Sequence, residues 1–282
     1  MTPDPLFLAT AVEAALAAGR IHRRYFRQQV KVEKKGPIDL VTAADLEVER
    51  EFRALIGERF PSHVVLGEEG GGDAAAHRPQ SQSGEGGKPR FGEGGHRWII
   101  DPVDGTTNFA HGLALFCVSI ALEIDGVLAV GVVYDPIADE LFTAERGQGA
   151  RLNGHRLRVS EETTLLDALL CTGFPYSIRE RRTRQIDTFA AFLGQSRAVR
   201  RLGSAALDLC YVAAGRFDGF WEEQLHAWDM AAGALIVAEA GGRVSGYNDE
   251  PLDLFGHRII ATNGGVHDAV LGVIKATSGA TS

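Results

Sequence analysis

The chain has 282 residues, of which 45% are hydrophobic and 23% charged, a balance typical of a globular protein with a sizeable core. Its net charge of −8 and its pI of about 5.6 argue against nonspecific binding to nucleic acid or to an anionic membrane, which usually needs a basic face. The three cysteines form no CxxC pair. A disulfide framework and a thiolate zinc site are therefore not expected, and a reducing cytoplasm fits best.

The chain begins with two predicted helices. Asp4-Pro5 has the form of an N-cap followed by proline, and an amphipathic helix is predicted from about residue 6 to 28. Gly36-Pro37 then breaks the chain, and a second helix is predicted from residues 42–45 to about Arg59. The N-terminal segment lacks the basic start of a signal peptide, and no apolar run reaches the ~18 residues that suggest a membrane span.

Residues 70–95 differ from the rest of the chain because they are rich in glycine and poor in apolar side chains. This composition predicts a flexible insertion loop on the surface, and not a domain boundary. The loop follows the acidic pair Glu68-Glu69, so it could cover a site there. A disordered insertion without such a role is the simpler interpretation.

The pattern after this loop predicts a largely antiparallel sheet followed by alternating helices and strands. Asp125-Gly126 and Asn153-Gly154 are strong hairpin signals. The predicted strands cover residues 97–100, 117–123, 127–134, 140–144, 169–172 and 218–221, and the later helices cover residues 179–193, 204–214 and 229–240. We therefore expect a single α+β domain, with an N-terminal α+β half (about 1–160) and a C-terminal α/β half (about 161–282).

The most informative segment is Trp98–Asn108, which contains two aspartates next to a turn. A buried strand is expected to deliver Asp101 and Asp104 to this turn. The backbone N–H groups of Gly105 and Thr106 would then bind phosphate oxygens at the start of a short helix. Two acids beside a phosphate-binding turn call for hard divalent cations, Mg²⁺ above all. A plain turn with an Asx hydrogen bond explains the dipeptides alone, but it does not explain the whole string.

Three further acids have comparable settings. Glu68 follows the apolar run 64–66, Asp229 begins a helix of small apolar residues over 230–237, and Asp45 lies near the start of the second helix. Each has a simpler interpretation, which is a solvated loop for Glu68 and a helix-start carboxylate for the two aspartates. The small residues after Asp229 would, however, let its helix pack closely and bring this carboxylate into a shared pocket.

In these motifs the chain resembles the inositol monophosphatase family, which comprises lithium-sensitive, Mg²⁺-dependent phosphatases. The resemblance runs from about residue 5 to 275, with matching segments in the same order at 39–45, 67–69, 98–108 and 228–242. It implies a layered αβαβα sandwich of the inositol monophosphatase and fructose-1,6-bisphosphatase type. It also implies a homodimer and two to three Mg²⁺ ions in each active site.

The resemblance further implies a ligand set for these ions. The first ion would be held by Glu68, Asp101 and the backbone carbonyl of Val103. The second would be held by Asp101, Asp104 and Asp229, so that Asp101 bridges the two ions. A third, weaker ion would depend on Glu68.

Catalytic and substrate contacts are implied in the same way. Thr106, held by Asp45, would orient the attacking water together with Glu68, and Lys34 would lie close to this acidic cluster. Glu222 would hydrogen-bond substrate hydroxyls, and Arg200 or Arg201 would lie near the substrate. The residues implied to contact the substrate are Asp104, Gly105, Thr106, Ser204, Ala205 and Glu222.

The expected activity is hydrolysis of an inositol monophosphate to inositol and phosphate by metal-activated water. Glu222 favours a polyol substrate. Alternative substrates for the same chemistry are fructose 1,6-bisphosphate, 3′-phosphoadenosine 5′-phosphate and histidinol phosphate. A non-catalytic regulatory or RNA-associated protein on the same fold is the alternative from another class, although the intact acidic set and the net negative charge argue against it.

Overall fold

A computed structural model describes residues 4–26, 32–34, 40–70, 95–175, 178 and 184–278. Within these ranges the chain forms seven α-helices and fourteen strands. The insertion loop predicted over residues 70–95 lies almost entirely outside the described residues, as do residues 179–183 of one predicted helix. None of the helices in the described ranges combines the length and the apolar character that a membrane span requires.

The helices are α1 (Pro5–Phe26), α2 (Ala43–Arg59), α3 (Thr106–Ala110), α4 (Arg184–Leu193), α5 (Ala205–Ala213), α6 (Ala227–Glu239) and α7 (His267–Ser278). The first nine strands are β1 (Val32–Lys34), β2 (Leu40–Thr42), β3 (Val64–Gly67), β4 (His96–Asp104), β5 (Cys117–Ile124), β6 (Val127–Asp135), β7 (Glu140–Glu145), β8 (Gly149–Leu152) and β9 (His155–Arg156). The last five strands are β10 (Leu169–Thr172), β11 (Ala198–Arg200), β12 (Gly219–Glu223), β13 (Arg243–Ser245) and β14 (Arg258–Thr262).

Strands β3 to β9 form a seven-stranded sheet in chain order. Only the first pair, β3 and β4, is parallel, so the predicted antiparallel character of this half is confirmed. The two predicted hairpin turns are present, and all four of their residues have positive φ, as this turn type requires: Asp125, Gly126, Asn153 and Gly154.

The second sheet has five strands in the order β11-β10-β12-β14-β13. Strand β10 runs parallel to β11 and β12, whereas β14 runs antiparallel to β12 and β13. Helices α1 and α2 cover one face of the seven-stranded sheet, α5 and α6 lie between the two sheets, and α4 and α7 cover the far face of the five-stranded sheet. This is the αβαβα sandwich predicted from the resemblance, with hydrophobic clusters between successive layers.

Strand β4 extends further than the sequence predicts. It was expected to end near Ile100, but it continues to Asp104 across a bulge between Asp101 and Asp104. The bulge forms where Oδ1 of Asp101 accepts a hydrogen bond from the backbone N–H of Val103 at 3.0 Å. The extra residues therefore carry both aspartates to the carboxyl end of the strand while the pairing with β5 continues.

Candidate active site

A cavity of about 340 Å³ lies where the end of β4 meets the N-termini of α5 and α6. Most of the residues that the sequence analysis proposed for the site line this cavity: Glu68, Asp101, Val103, Asp104, Gly105, Thr106, Ser204, Ala205, Glu222 and Asp229. Asp45 lies outside the lining, and the side chain of Lys34, on β1, is outside the described residues.

Asp104 is bound to the N-terminus of α5. Its Oδ2 accepts hydrogen bonds from the Ser204 hydroxyl at 2.6 Å and the Ala206 N–H at 2.7 Å, and its Oδ1 accepts a longer one from the Ala205 N–H at 3.3 Å. The first N–H groups of a helix have no partner within it, and the helix dipole favours a negative charge there. The segment predicted to line the substrate site thus also fixes one of the predicted metal ligands.

Asp229 is held at the start of α6. This helix begins at Ala227, two residues before the predicted start, and Asp229 occupies its third position. There, Oδ2 of Asp229 accepts a hydrogen bond from the His226 N–H at 2.6 Å. The close packing predicted for this helix is present, because a Cβ added to Gly233 would lie 2.6 Å from the Cβ of Leu209 on α5.

Asp101, Asp104 and Asp229 form a compact acidic cluster, in which one oxygen from each residue lies within 4.8 Å of the others. Burial is the main cause that raises the pKa of all three carboxyls, and their mutual repulsion raises the pKa of Asp101 and Asp229 further. Hydrogen bonds from Ser204 and Ala206 oppose this shift in the pKa of Asp104. Three carboxylates at this separation are suited to a divalent cation with a preference for oxygen ligands.

Glu68 lies in the turn that follows β3 and lines the same cavity. It is not part of the compact cluster that Asp101, Asp104 and Asp229 form. Its charge is close enough to raise the pKa of both Asp101 and Asp229. The structure therefore brings Glu68 to the edge of the cluster, on the side of the seven-stranded sheet.

Asp45 and Thr106 differ from the arrangement implied by the resemblance. Asp45 occupies the third position of α2 and accepts hydrogen bonds from the backbone N–H and the hydroxyl of Thr42, in a capping box. The Thr106 hydroxyl donates instead to the Val103 carbonyl at 2.9 Å. The expected bond from Thr106 to Asp45 is thus replaced by two local ones. Oδ1 of Asp45 is buried without a hydrogen-bond partner in the described part of the chain.

Burial raises the pKa of Asp45 to about 7, although the hydrogen bonds from Thr42 oppose the shift and the charges of Glu68 and Glu69 add to it. A buried carboxyl with one unsatisfied oxygen beside further acids is the kind of group that a cation or a water can bind. The oxygen-rich donor set, this orphaned oxygen and the raised pKa values together fit a site for hard cations.

Glu222, which comes from β12, also lines the cavity. Burial raises the pKa of Glu222 well above its ordinary value, and the charge of Asp208 raises it further. Gly173 leaves room for this carboxyl, because a Cβ there would lie 2.1 Å from Oε2 of Glu222. Arg201, and not Arg200, lines the cavity.

Sequence reasoning missed part of the cavity wall. Phe174, Pro175 and Leu225 line the cavity but were not proposed for the site. They carry no charge and belong to no recognisable motif, so no signal in the sequence set them apart from ordinary core or loop residues.

Comparison with known proteins identifies the family of this chain. The model of the inositol monophosphatase family matches residues 6–278. An inositol-1-monophosphatase of Rhizobium meliloti (strain 1021) is 45% identical over 83% of each chain, and the Nus factor SuhB of Pseudomonas aeruginosa is 43% identical over 95% of each. The crystal structure of extragenic suppressor protein suhB from Bartonella henselae has a TM-score of 0.85 and 39% identity, covering 96% of this chain and 98% of that one. The chain therefore belongs to the inositol monophosphatase family of metal-dependent phosphatases.

Proposed function

We propose that this phosphatase hydrolyses an inositol monophosphate to inositol and inorganic phosphate, and that Mg²⁺ is its cofactor. The observation that carries the proposal is that the acidic cluster and Glu222 line the same cavity. The cluster suits the phosphate end of a substrate with its cations, and Glu222 suits hydroxyl groups at the other end. The name of the Rhizobium meliloti relative also supports this substrate.

In this proposal Glu68, Asp101, Asp104, Asp229 and the carbonyl of Val103 hold two to three Mg²⁺ ions. When bound, Mg²⁺ supplies positive charge that stabilises the phosphoryl transition state and lowers the pKa of the attacking water. The protein's own residues orient the reactants around it.

Gly105 and Thr106 lie in the cavity wall beside Asp104, where their backbone N–H groups can donate hydrogen bonds to phosphate oxygens. The backbone of Ser204 and Ala205 completes that wall, and Glu222 accepts hydrogen bonds from substrate hydroxyls. The water-orienting role proposed for Thr106 with Glu68 requires its hydroxyl to turn from Val103. In the proposal Asp45 holds the Thr106 hydroxyl once it has turned, and Lys34 lies close to the acidic cluster.

Phosphate release from inositol 1-phosphate tests the proposal, measured with and without Mg²⁺ on the wild type and on Asp101→Ala. We expect turnover that depends on Mg²⁺ and that falls by at least about a hundredfold in the variant, because Asp101 lies in the centre of the cluster. If fructose 1,6-bisphosphate, 3′-phosphoadenosine 5′-phosphate or histidinol phosphate gives a kcat/KM about tenfold higher, the proposed substrate is wrong, although the chemistry is retained.

A role as a Nus factor is the second candidate, because the Pseudomonas aeruginosa relative of that name matches nearly the whole chain. The substitution Asp104→Asn separates the two roles. It should abolish hydrolysis, so a cellular role that survives this change would not depend on catalysis.

Four further properties complete the proposal. They are a homodimer, a cytoplasmic location, inhibition by lithium and a single catalytic domain whose two halves meet at the cavity. Helix α6 contacts both sheets, which supports the last of these. Light scattering on the purified protein and a Li⁺ titration of phosphate release test the first and the third.

A further inference from the structure

Helix α2 carries a buried carboxylate that contacts the turn bearing Glu68. Glu49 is one helical turn after Asp45 and is only 3% exposed. Its Oε2 accepts a hydrogen bond from the Glu69 N–H at 2.8 Å, and its Oε1 accepts one from the Gly70 N–H at 2.7 Å. One side chain thus binds the two backbone N–H groups that follow Glu68.

These bonds begin where the sheet pairing ends. Strand β3 pairs with β4 from Val64 to Gly67, and the register stops there. Glu68 is the next residue, so the pairing of β3 does not extend to it. The Glu49 carboxylate accepts hydrogen bonds from the backbone immediately beyond this point. Charge-assisted hydrogen bonds of this kind are stronger than neutral ones.

The two glycines on either side of Glu68-Glu69 are explained by the same contact. A Cβ added to Gly67 would lie 2.5 Å from Cδ of Glu49, and one added to Gly70 would lie 2.6 Å from its Oε1. Neither position has a positive φ that would require glycine. The lack of a side chain at these two positions therefore leaves room for the Glu49 carboxylate.

Arg53 fixes the Glu49 carboxylate in turn. Its Nε donates to Oε1 of Glu49 at 2.8 Å, and its Nη1 donates to the carbonyl of Val65 on β3 at 3.1 Å. The pair is an i, i+4 salt bridge on α2 in which the Glu49 side chain is almost fully buried. Helix α2, β3 and the turn are thereby joined by a continuous set of hydrogen bonds.

We propose that Glu49 is a positioning residue that sets the place of Glu68 at the metal site. The inference rests on the proposed function, since it gives Glu68 its part in binding Mg²⁺. Glu49 does not line the cavity and acts through the backbone of the turn. Groups that orient a metal ligand without binding the metal themselves typically contribute about 10–100-fold to metal affinity or activity.

The test is Glu49→Gln, with Glu51→Gln as the matched control, since Glu51 is exposed on the same helix. Mg²⁺ affinity is measured by calorimetry and by the rise in Tm, without substrate. We expect the Mg²⁺ Kd of Glu49→Gln to rise at least about tenfold while that of Glu51→Gln stays at the wild-type value. A lower Tm with unchanged Mg²⁺ affinity would show a purely structural role and overturn the proposal.

Gly67→Ala provides a second, independent variant, because its methyl group displaces the Glu49 carboxylate without removing it. We expect faster hydrogen exchange at the Glu69 and Gly70 amides in both variants, and a combined effect of the two changes on Mg²⁺ affinity that is smaller than the sum. Additive effects would contradict the shared mechanism.

Kinetics separates this proposal from the proposed function. With inositol 1-phosphate, kcat should fall while KM stays within about twofold, because the substrate contacts lie on other elements. If the wild type does not hydrolyse inositol 1-phosphate, the proposed substrate fails, but the Mg²⁺ affinities and amide exchange rates still decide the role of Glu49.

Discussion

The carboxyl groups of Asp101 and Asp229 are expected to make the metal-free protein less stable at neutral pH. Their pKa values are raised on folding, mainly by burial, so the folded state binds protons more readily than the unfolded state. Stability from these groups is therefore present at low pH and lost as pH rises through the raised pKa values. A bound cation would remove the same penalty at neutral pH.

Replacing Asp101 by Asn should therefore raise the Tm of the metal-free protein. The amide oxygen keeps the hydrogen bond from the Val103 N–H, and one charge leaves the cluster. Each kcal/mol gained corresponds to a rise of about 2–4 °C for a protein of this size. The measurement is a thermal melt in EDTA at pH 7.5. A lower Tm would mean that the buried charge of Asp101 does not destabilise the metal-free protein.

His22 gives the stability of the fold the opposite dependence on pH. It is fully buried on α1, its Nε2 lies 2.8 Å from the Pro102 carbonyl, and burial lowers its pKa from 6.5 to about 4. As pH falls, His22 therefore binds a proton at a higher pH in the unfolded state than in the folded state. The stability that His22 contributes is complete above about pH 6.5 and is lost as pH falls towards 4, by on the order of 3 kcal/mol.

The variant His22→Gln retains a donor for the Pro102 carbonyl but does not titrate. Its free energy of unfolding should therefore fall less than that of the wild type between pH 6.5 and 4, and urea melts at several pH values give the difference. Because the acidic cluster is common to both proteins, its own pH dependence cancels in the comparison. Parallel curves for the two proteins would rule out His22 as the source.

At the scale of single residues, the sequence predicts which residues belong to the site better than it predicts their hydrogen-bond partners. The four acids of the site follow from their spacing and from the resemblance. The bond from Ser204 to Asp104 does not, because it joins segments far apart in the chain. The Thr106 hydroxyl shows the same limit, since its choice of Val103 over Asp45 depends on geometry within a bulged strand.

Among the elements, α6 depends on small residues for its packing against α5. Gly233 allows α6 to approach Leu209 on α5, and these two helices carry Asp229 and the N–H groups that hold Asp104. An added methyl group would force the helices apart, at about 1–3 kcal/mol for overpacking. The gain in helix propensity from glycine to alanine, about 1 kcal/mol, opposes this cost.

We expect Gly233→Ala to lower both the Tm and the Mg²⁺ affinity, because the displacement separates Asp229 from Asp104. Gly272→Ala on α7 is the matched control, since nothing lies within 4 Å of its added Cβ. That control should be more stable than the wild type by about 0.5–1 kcal/mol. Thermal melts and calorimetry on the two variants check the pair, and an unchanged Mg²⁺ affinity in Gly233→Ala would contradict the argument.

The helices predicted by periodicity and by capping residues are confirmed to within a few residues where the chain is described. No element was predicted after residue 242, although β13, β14 and α7 lie there. The run Arg258–Thr262 is too short for its apolar pattern to distinguish a strand from a buried helix. Helix α7 contains glycine and β-branched residues, which weaken its local signal.

For the molecule as a whole, the site connects layers that are otherwise separate. Asp101 and Asp104 come from the seven-stranded sheet, Glu68 comes from the turn after one of its strands, and Asp229 comes from the helix layer between the sheets. The sandwich follows from the family resemblance. Local patterns alone give only an α+β class, because they do not say which helices lie between the sheets.

Mg²⁺ should therefore stabilise the entire fold. A ligand that binds only the folded state, at about 100 times its Kd, raises the free energy of unfolding by about 2.7 kcal/mol. The Tm should rise steadily with Mg²⁺ concentration, and it should not rise with an equal ionic strength of NaCl. A Tm that is unchanged across the Mg²⁺ titration would count against a metal site between these layers.

The hydrogen bonds within the acidic cluster also bear on which cation it selects. Asp101, Asp104 and Asp229 each have one oxygen that accepts a hydrogen bond of 2.6 to 3.0 Å from the protein, and the second oxygen of Asp104 accepts only the longer bond of 3.3 Å from the Ala205 N–H. These hydrogen bonds favour coordination of an ion through one oxygen of each carboxylate. Calcium commonly uses bidentate carboxylates and seven or so ligands, whereas magnesium keeps an octahedral shell of single oxygens. We therefore expect the cluster to prefer Mg²⁺ to Ca²⁺, because it favours coordination through single oxygens.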